Sequence, residues 1–150
     1  MADRSRVGPI RRLLNGIMAF LIRRDWAPAG FFLLSVAGRA SGENYSTPVR
    51  VISWQGDRWL VARYGDVNWV RNARASGRAQ LRRGREWEEV TLVEVDSEHR
   101  APVIQRYLEI DPLSRSALMP AAENNLESYR AAADAHPVFV ILPSTPERSG

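Results

Sequence analysis

Apolar residues recur with helical spacing near the start of the chain and form short continuous runs after residue 30. Between about residues 9 and 24 they repeat every three or four positions, whereas arginine and asparagine fall largely between them. This pattern predicts an amphipathic helix with basic flanks. Its apolar run is about half as long as a bilayer requires, so we do not expect it to span a membrane. The predicted apolar face comprises Ile10, Leu13, Leu14, Ile17, Met18 and Leu21.

This amphipathic helix has two competing uses. We expect its apolar face to pack on the helix's own domain; the alternative is docking on a membrane surface, which the neighbouring arginines would assist. A cleavable signal peptide is not predicted, because Arg23, Arg24 and Asp25 precede the small residues at 27–29, where a signal should be neutral. We therefore expect a cytoplasmic protein, associated with a membrane if the helix docks there.

The rest of the chain combines strand-like runs with shorter helical stretches. Three extended runs predict a meander of strands, and a short helix, two strands, two helices and a closing strand follow. Links of mostly hairpin length favour an antiparallel barrel of about six strands over a Rossmann sheet. We expect an α+β fold in a single domain, residues 1–150. The predicted strands are 31–37, 49–54, 59–64, 79–83, 87–95 and 138–142, and the later helices are 69–75, 98–110 and 123–134.

Composition excludes several kinds of chemistry. The chain has no cysteine and only two histidines, far apart, so disulfides, thiol catalysis and a histidine-rich metal site are not expected. All 21 basic residues are arginine, which excludes a Schiff-base lysine and a P-loop lysine. The net charge of +4 is compatible with an anionic ligand, an anionic membrane or nucleic acid. We do not predict nucleic-acid binding, because the aromatic residues look like core anchors rather than a stacking platform.

The link between the first two strands, within residues 36–50, is rich in small and hydroxyl-bearing residues. Its glycines bring the backbone close to any bound group, and Arg39 adds a permanent positive charge. The segment matches neither a nucleophile elbow nor a dinucleotide fingerprint nor a Walker loop. It either joins two strands or holds an anionic cofactor. A chain with few candidate acids and bases suits the second use, since a cofactor supplies the reactive atom itself.

A second group of candidate residues lies at the end of the third predicted strand and just beyond it. We expect the backbone amides of Tyr64 and Gly65, with a helix beginning near Asn68, to form a seat for an anion. The other interpretation is an ordinary capped helix whose Trp69 anchors the core. We favour the core role for Trp69 and a ligand contact for Arg63 and Gly65.

Three motifs in the middle of the chain carry a family resemblance. They are G-R-x-S-G at 38–42 with T-P-V at 47–49, V-A-R-Y-G at 61–65, and N-W-V-R-N-A-R-A at 68–75. In this order and at this spacing they resemble the deazaflavin (coenzyme F-420)-dependent nitroreductase family. The likeness extends to H-P-V-F-V at 136–140 and covers roughly residues 30–142.

The resemblance implies a split β-barrel of the flavin-reductase, FMN-binding type. It also implies hydride transfer from reduced F-420 to a small electron-poor acceptor such as a quinone, a nitro compound or an enone. A tyrosine that contacts the acceptor in some members corresponds to Tyr129, and Tyr129 or Tyr64 would supply the proton. Relatives of this barrel commonly pair, and exposed strand edges would allow a homodimer. The implied cofactor contacts are Arg39, Ser41, Gly42, Tyr45, Thr47, Pro48, Val49, Ala62, Arg63, Tyr64, Gly65, Asn68, Trp69 and Arg71.

Two positions depart from the family pattern. Some relatives have lysine where this chain has Ala40 and arginine where it has Tyr45, so other arginines would have to replace those phosphate contacts. A non-catalytic barrel that binds a fatty acid or another lipid therefore stays open as an alternative function. An FMN- or heme-binding relative is a further alternative, with FMN the less favoured cofactor. The arginines available as replacements are Arg39, Arg50, Arg63 and Arg71.

Overall fold

Six antiparallel strands close into a barrel in the computed structural model, which describes residues 4–37, 44–63, 65, 67–112 and 126–144. Around the barrel the strands follow the order β1-β2-β3-β6-β5-β4. The strands are β1 Phe31–Ala37, β2 Asn44–Trp54, β3 Asp57–Val61, β4 Arg78–Arg83, β5 Glu86–Glu94 and β6 Val138–Pro143. The described helices are α1 Arg4–Arg23, α2 Asn68–Ser76, α3 Ser97–Ile110 and α4 Leu126–Ala135.

The antiparallel barrel confirms the predicted fold class, but two strand boundaries were predicted wrongly. Strand β2 begins at Asn44 rather than Val49, because its first seven residues pair with the whole of β1, from Phe31 opposite Arg50 to Ala37 opposite Asn44. Strand β3 ends at Val61 rather than at residue 64. There the chain turns, since the amide of Arg63 donates to the carbonyl of Val61 at 2.9 Å.

Each described strand pairs with a neighbour on both sides. The sequence analysis predicted exposed strand edges that would allow a homodimer. Closing the sheet into a barrel removes those edges. A homodimer would have to use another surface.

Side chains that alternate along the strands form two layers. One set fills the inside of the barrel, with Leu34, Leu60, Leu81 and Phe139 among its fully buried members. The other set lies between the outside of the barrel and helices α3 and α4, with Ile104 at its centre. This alternation is what a period of two residues produces in a strand.

The strand directions define two ends of the barrel. At the upper end, β1 ends at Ala37, β3 ends at Val61 and β6 begins at Val138. At the lower end lie the short β2–β3 and β4–β5 turns. The end of β1, the start of β2 and the end of β3, which border the two regions that the sequence nominates for the cofactor, therefore lie at the upper end.

The prediction that helix α1 packs on its own domain is wrong for most of its length. Ile10, Leu13 and Leu14 are 62%, 65% and 60% exposed. The last turn does pack, because Ile22 is fully buried against Leu33 of β1. The helix also begins at Arg4 rather than near residue 9. Among the described residues, no helix is long and apolar enough to cross a bilayer.

Candidate functional site

The segment from Ala62 to Gly65 is tied to the junction between α4 and β6. The amide of Ala62 donates to the carbonyl of Pro137 at 2.8 Å. The carbonyl of Ala62 accepts from the amide of Gly65 at 2.9 Å and lies 2.9 Å from Nδ1 of His136. A carbonyl can only accept, so this nitrogen of His136 carries the hydrogen. Three hydrogen bonds therefore hold the backbone at the end of β3 in one shape.

Gly65 has a conformation that other residues adopt only with strain. Its φ is +79°, and a Cβ added there would lie 3.3 Å from the carbonyl oxygen of Ala135. The absence of a side chain lets the chain turn tightly against α4. The local sequence thus produces a close, fixed turn at the position where the sequence predicts a cofactor contact.

Two arginines and one carboxylate meet on the outer surface of the barrel beside this turn. Nη1 of Arg50 in β2 lies 3.8 Å from Oδ2 of Asp111, and Nη1 of Arg63 lies 3.9 Å from the same atom. Asp111 caps the end of α3, and its side chain is only 13% exposed. The guanidinium of Arg50 also lies over the ring of Phe31, 5.3 Å from its centroid.

The ion pairs in this cluster are loose. Two guanidinium groups face one carboxylate at distances that are too long for direct hydrogen bonds. In a partly buried setting a positive charge attracts anions more strongly than it would in open water. Phosphate and carboxylate groups are the anions that a guanidinium fork fits best. The cluster of Arg50, Arg63 and Asp111 is therefore a candidate for an anion contact beside the Gly65 turn.

The predicted residues of β2 lie next to this cluster in the sheet. Thr47, Pro48 and Val49 sit opposite Leu34, Leu33 and Phe32 of β1. They belong to a paired strand rather than to a loop, because β2 starts five residues earlier than predicted. Val49 packs against the barrel interior, as does the fully buried Ala62. Any contact that Ala62 makes with a ligand would use its backbone.

The predicted residues of α2 divide between surface and core. Asn68 and Arg71 are exposed at the start of the helix. Trp69 instead packs on the barrel interior, with its ring 5.5 Å from that of Phe139, which suits the core role favoured for it. The expected side-chain cap is missing, because Val67 occupies the N-cap position and makes no side-chain cap hydrogen bond. The amides at the start of α2 are thus not capped by the residue before it.

Tyr129 lies in the outer layer, on helix α4. It is partly buried and packs in the same cluster as Val61 and Tyr107. Arg63 faces Asp111 at the end of α3, and α3 packs against α4, so Tyr129 and Arg63 lie on the same side of the barrel. Arg39, Ser41, Gly42 and Tyr64 fall outside the described residues, and so does the side chain of Tyr45.

Comparison with known families shows what kind of protein this is. The profile of a family described as "F420H(2)-dependent quinone reductase" matches residues 15–141, most of the chain. The chain belongs to this family. The assignment confirms the predicted deazaflavin-dependent oxidoreductase and its predicted cofactor, coenzyme F-420.

Solved structures with a similar fold accompany the family assignment. One described as a domain-swapped dimer is 19% identical, with a TM-score of 0.56, and the match covers 90% of this chain and 98% of that one. An "F420-H2 dependent reductase (FDR-A)" is 20% identical, with a TM-score of 0.52 and coverage of 75% and 94%. The heme storage protein HutZ from Vibrio cholerae is 12% identical, with a TM-score of 0.54 and coverage of 77% and 82%. These likenesses establish the split-barrel fold. No curated protein matches the sequence significantly.

The residues at the upper end fit coenzyme F-420. The coenzyme carries a phosphate and an acidic tail, which require positive charge, and the cluster supplies the guanidinium groups of Arg50 and Arg63. A flat ring system requires a backbone that can be approached closely, and the Gly65 turn supplies one. The charge and the shape of this region therefore agree with the family's cofactor.

His136 is the residue that sequence reasoning passed over. It was considered only as a metal ligand, yet it is 92% buried and holds the turn through the carbonyl of Ala62. The motif H-P-V-F-V at 136–140 begins with this histidine. The motif indicated a family likeness but no role for the His136 side chain. Strand β6 begins two residues after His136 and pairs with β3. This long-range pairing brings the ring of His136 beside the end of β3, and the sequence alone does not show it.

Replacing His136 with alanine is expected to weaken F-420 binding about fivefold and to lower the free energy of unfolding by about 1–2 kcal/mol. The carbonyl of Ala62 would lose a buried donor, and the turn would loosen. His136→Asn retains an N–H donor and should recover part of the binding. Fluorescence titration with F-420, alongside thermal unfolding, measures both effects. Unchanged binding in the alanine variant would remove His136 from the site.

Proposed function

We propose that this protein transfers a hydride from reduced F-420 to a small quinone. The family match supports the reductase activity and the quinone, and the positive cluster beside the Gly65 turn supports the placement of the cofactor at the upper end of the barrel. A nitro compound or an enone is the alternative acceptor, because each can take up a hydride at an electron-poor carbon or nitrogen. We propose that the whole chain, residues 1–150, acts as one cofactor-binding domain.

Arg63 is the proposed anchor for the anionic part of the coenzyme. It projects from the end of β3, where three hydrogen bonds define the backbone, and its fork can approach a phosphate in two-point geometry. Arg50 adds a second positive charge from the adjacent strand. Gly65 leaves room for close approach of the ring system. Remaining contacts are proposed for Arg39, Ser41, Gly42, Tyr45, Thr47, Pro48, Val49, Tyr64, Asn68 and Arg71.

The bound reduced coenzyme supplies the hydride, and the residues of this chain position the two reactants. Hydride transfer requires orientation and exclusion of water more than it requires acids and bases. As the acceptor gains negative charge, Arg50 and Arg63 stabilise it through their positive field. The hydroxyl of Tyr129 or Tyr64 then donates a proton to the acceptor oxygen. Tyr129 lies on the same side of the barrel as Arg63, which suits this role.

Fluorescence titration of the purified protein with F-420 tests the proposal. We expect saturable, salt-sensitive binding with a dissociation constant no weaker than tens of micromolar, roughly the lower part of the usual range for enzyme substrates. Absence of binding at that level would overturn the proposal. Mixing the reduced complex with a soluble naphthoquinone, and separately with a nitroaromatic compound, then identifies the acceptor from the rate at which the coenzyme is oxidised.

Replacing Tyr129 with phenylalanine is expected to lower kcat about tenfold and to leave F-420 binding unchanged. Only the hydroxyl is removed, so packing in the outer layer stays intact while proton donation to the acceptor is lost. The effect is smaller than general acid catalysis usually provides, because water or Tyr64 can replace the donor. Steady-state kinetics and a solvent isotope effect check it. If kcat and the isotope effect both stay as in the parent, Tyr129 is not the donor.

A lipid-binding barrel is less well supported than the reductase. The interior of the barrel is filled by its own side chains, including Leu34, Leu60 and Phe139. A fatty acid would therefore have to bind outside the barrel. Extraction and mass spectrometry of the purified protein would reveal such a ligand.

We also propose a peripheral contact between helix α1 and a membrane surface. The exposure of Ile10, Leu13 and Leu14 supports it, because large apolar side chains on one helix face are costly to leave in water. A homodimer through the same face is the competing use, and one solved structure of similar fold is described as a domain-swapped dimer. The two uses can be separated by experiment.

A further inference from the structure

A basic pocket lies at the lower end of the barrel, where the end of α1 meets the β4–β5 turn. Five arginines and two carboxylates line it, which leaves a net charge of +3, and its volume is about 850 Å³. The arginines are Arg23, Arg24, Arg82, Arg83 and Arg85. None of the residues that line it belongs to the cluster of Arg50, Arg63 and Asp111.

Two of these arginines are fixed by contacts within the protein. Arg83 donates to Oδ1 of Asp25 at 2.7 Å and to the carbonyls of Pro28 and Phe31 at 2.9 Å and 3.0 Å. Arg82 donates from Nε to the carbonyl of Gly84 at 2.8 Å, and its guanidinium lies 4.8 Å from the ring centroid of Trp87. These contacts make the wall of the pocket rigid. Arg23 and Arg85 lie exposed at its rim.

Arg24 joins the pocket to the exposed apolar face of α1. Its guanidinium lies 5.5 Å from the ring centroid of Phe20 and 5.9 Å from that of Trp26. Phe20 comes one helical turn before Arg24, and Ile17 and Leu13 continue the same line at spacings of three and four residues. Phe20 and Trp26 are 48% and 66% exposed. The apolar stripe therefore runs along the helix and ends at the pocket.

We propose that the pocket binds the phosphate of an anionic phospholipid while the apolar stripe enters the adjacent acyl region of the bilayer. Apolar side chains that lead into a row of arginines match the change from acyl chains to phosphates across a bilayer surface. Trp26 stands at the boundary, where tryptophan is favoured. This inference extends the proposed membrane contact of α1 and does not depend on the cofactor site.

Charge favours a lipid surface over a second copy of this chain as the occupant. Helix α1 contains arginines and no acidic residue, so two copies packed through this face would bring like charges together. An anionic bilayer offers the opposite charge over a wide area. The rigid pocket adds a defined site for one phosphate group, because guanidinium forks match phosphate oxygens.

Flotation with lipid vesicles tests the proposal. The full chain should bind vesicles of phosphatidylcholine and phosphatidylglycerol in comparable amounts, and bind pure phosphatidylcholine far more weakly. The double variant Arg23→Gln, Arg85→Gln should bind the anionic vesicles roughly 25-fold more weakly, about fivefold for each charge near the surface. Ile17→Asn should weaken binding to both compositions. Arg130→Gln, which removes an exposed charge on α4, should behave as the parent does.

Several results would overturn the lipid assignment. One is equal binding to the two compositions, and another is equal binding of the parent and the double variant. Stabilisation of the protein by inorganic phosphate without any vesicle binding would indicate a site for free phosphate. A stable dimer that persists in the presence of anionic vesicles would indicate that a second copy covers the stripe. Unchanged F-420 titration in the double variant separates a lost lipid site from a misfolded protein and from failure of the proposed reductase function.

Discussion

Replacing Arg63 with alanine is expected to weaken the binding of F-420 about thirtyfold. A hydrogen bond to a charged group contributes about 2 kcal/mol when its partner is left unpaired, and this corresponds to a factor of about thirty in the dissociation constant. Arg63 shares Asp111 with Arg50, so the variant would lose one of the two guanidinium groups beside that carboxylate. The positive charge available to the anionic part of the coenzyme would fall. Fluorescence titration with F-420 at two salt concentrations measures the loss.

Arg85→Ala is the matched control for this experiment. It removes the same side chain from the lower end of the barrel, at the β4–β5 turn, and should leave F-420 binding unchanged. Arg63→Lys tests the geometry, because it keeps the charge but loses the two-point fork, and we expect intermediate binding. Equal affinity in Arg63→Ala and Arg85→Ala would place the cofactor away from the cluster. A reduced salt dependence in the Arg63 variant alone would support a direct contact with an anionic group.

Replacing Phe139 with alanine is expected to lower the free energy of unfolding by about 3–5 kcal/mol. Phe139 is 1% exposed, contacts Trp69 and lies opposite Leu60 in the β3–β6 pair. Removing its ring leaves a cavity that the surrounding strands can fill only partly. For a chain of this length the loss corresponds to a fall in Tm of roughly 10 °C. Thermal and denaturant unfolding measure it.

Leu142 provides the comparison on the same strand. Its side chain is 38% exposed, so Leu142→Ala should cost much less than Phe139→Ala. Similar losses in the two variants would mean that the inside of the barrel is not the main stabilising layer. Trp69→Ala should resemble Phe139→Ala in its stability, which would support a core role for Trp69 rather than a cofactor contact.

The strand pattern was predictable because it depends on local alternation. The six strands, the order of the elements and the antiparallel barrel all follow from short apolar runs and hairpin-length links. The errors fall at positions where pairing overrides the local sequence. Strand β2 extends back to Asn44 because β1 is long enough to pair with it. Strand β3 stops at Val61 because backbone hydrogen bonds around Ala62 favour a turn.

The candidate site was predictable in part. Arg63 and Gly65 were singled out from glycine and arginine spacing, and the structure places them on a fixed turn at the upper end. The partnership of Arg50, Arg63 and Asp111 was not predictable, since these residues come from β2, the end of β3 and the end of α3. The role of His136 was missed for the same reason: its hydrogen bond to Ala62 spans 74 positions.

Residue types at short spacings were enough to predict the antiparallel barrel, the deazaflavin-dependent family and the amphipathic character of α1. The direction in which the apolar face of α1 points depends instead on long-range packing. The same helical pattern suits packing on the domain, on a membrane or on a second copy, and local periodicity does not distinguish among them. The structure shows that α1 packs on the barrel only near its C-terminal end, through Met18, Ala19, Leu21 and Ile22. The remaining face stays exposed and leads into the arginine pocket, since the contacts that build this surface join residues about sixty positions apart.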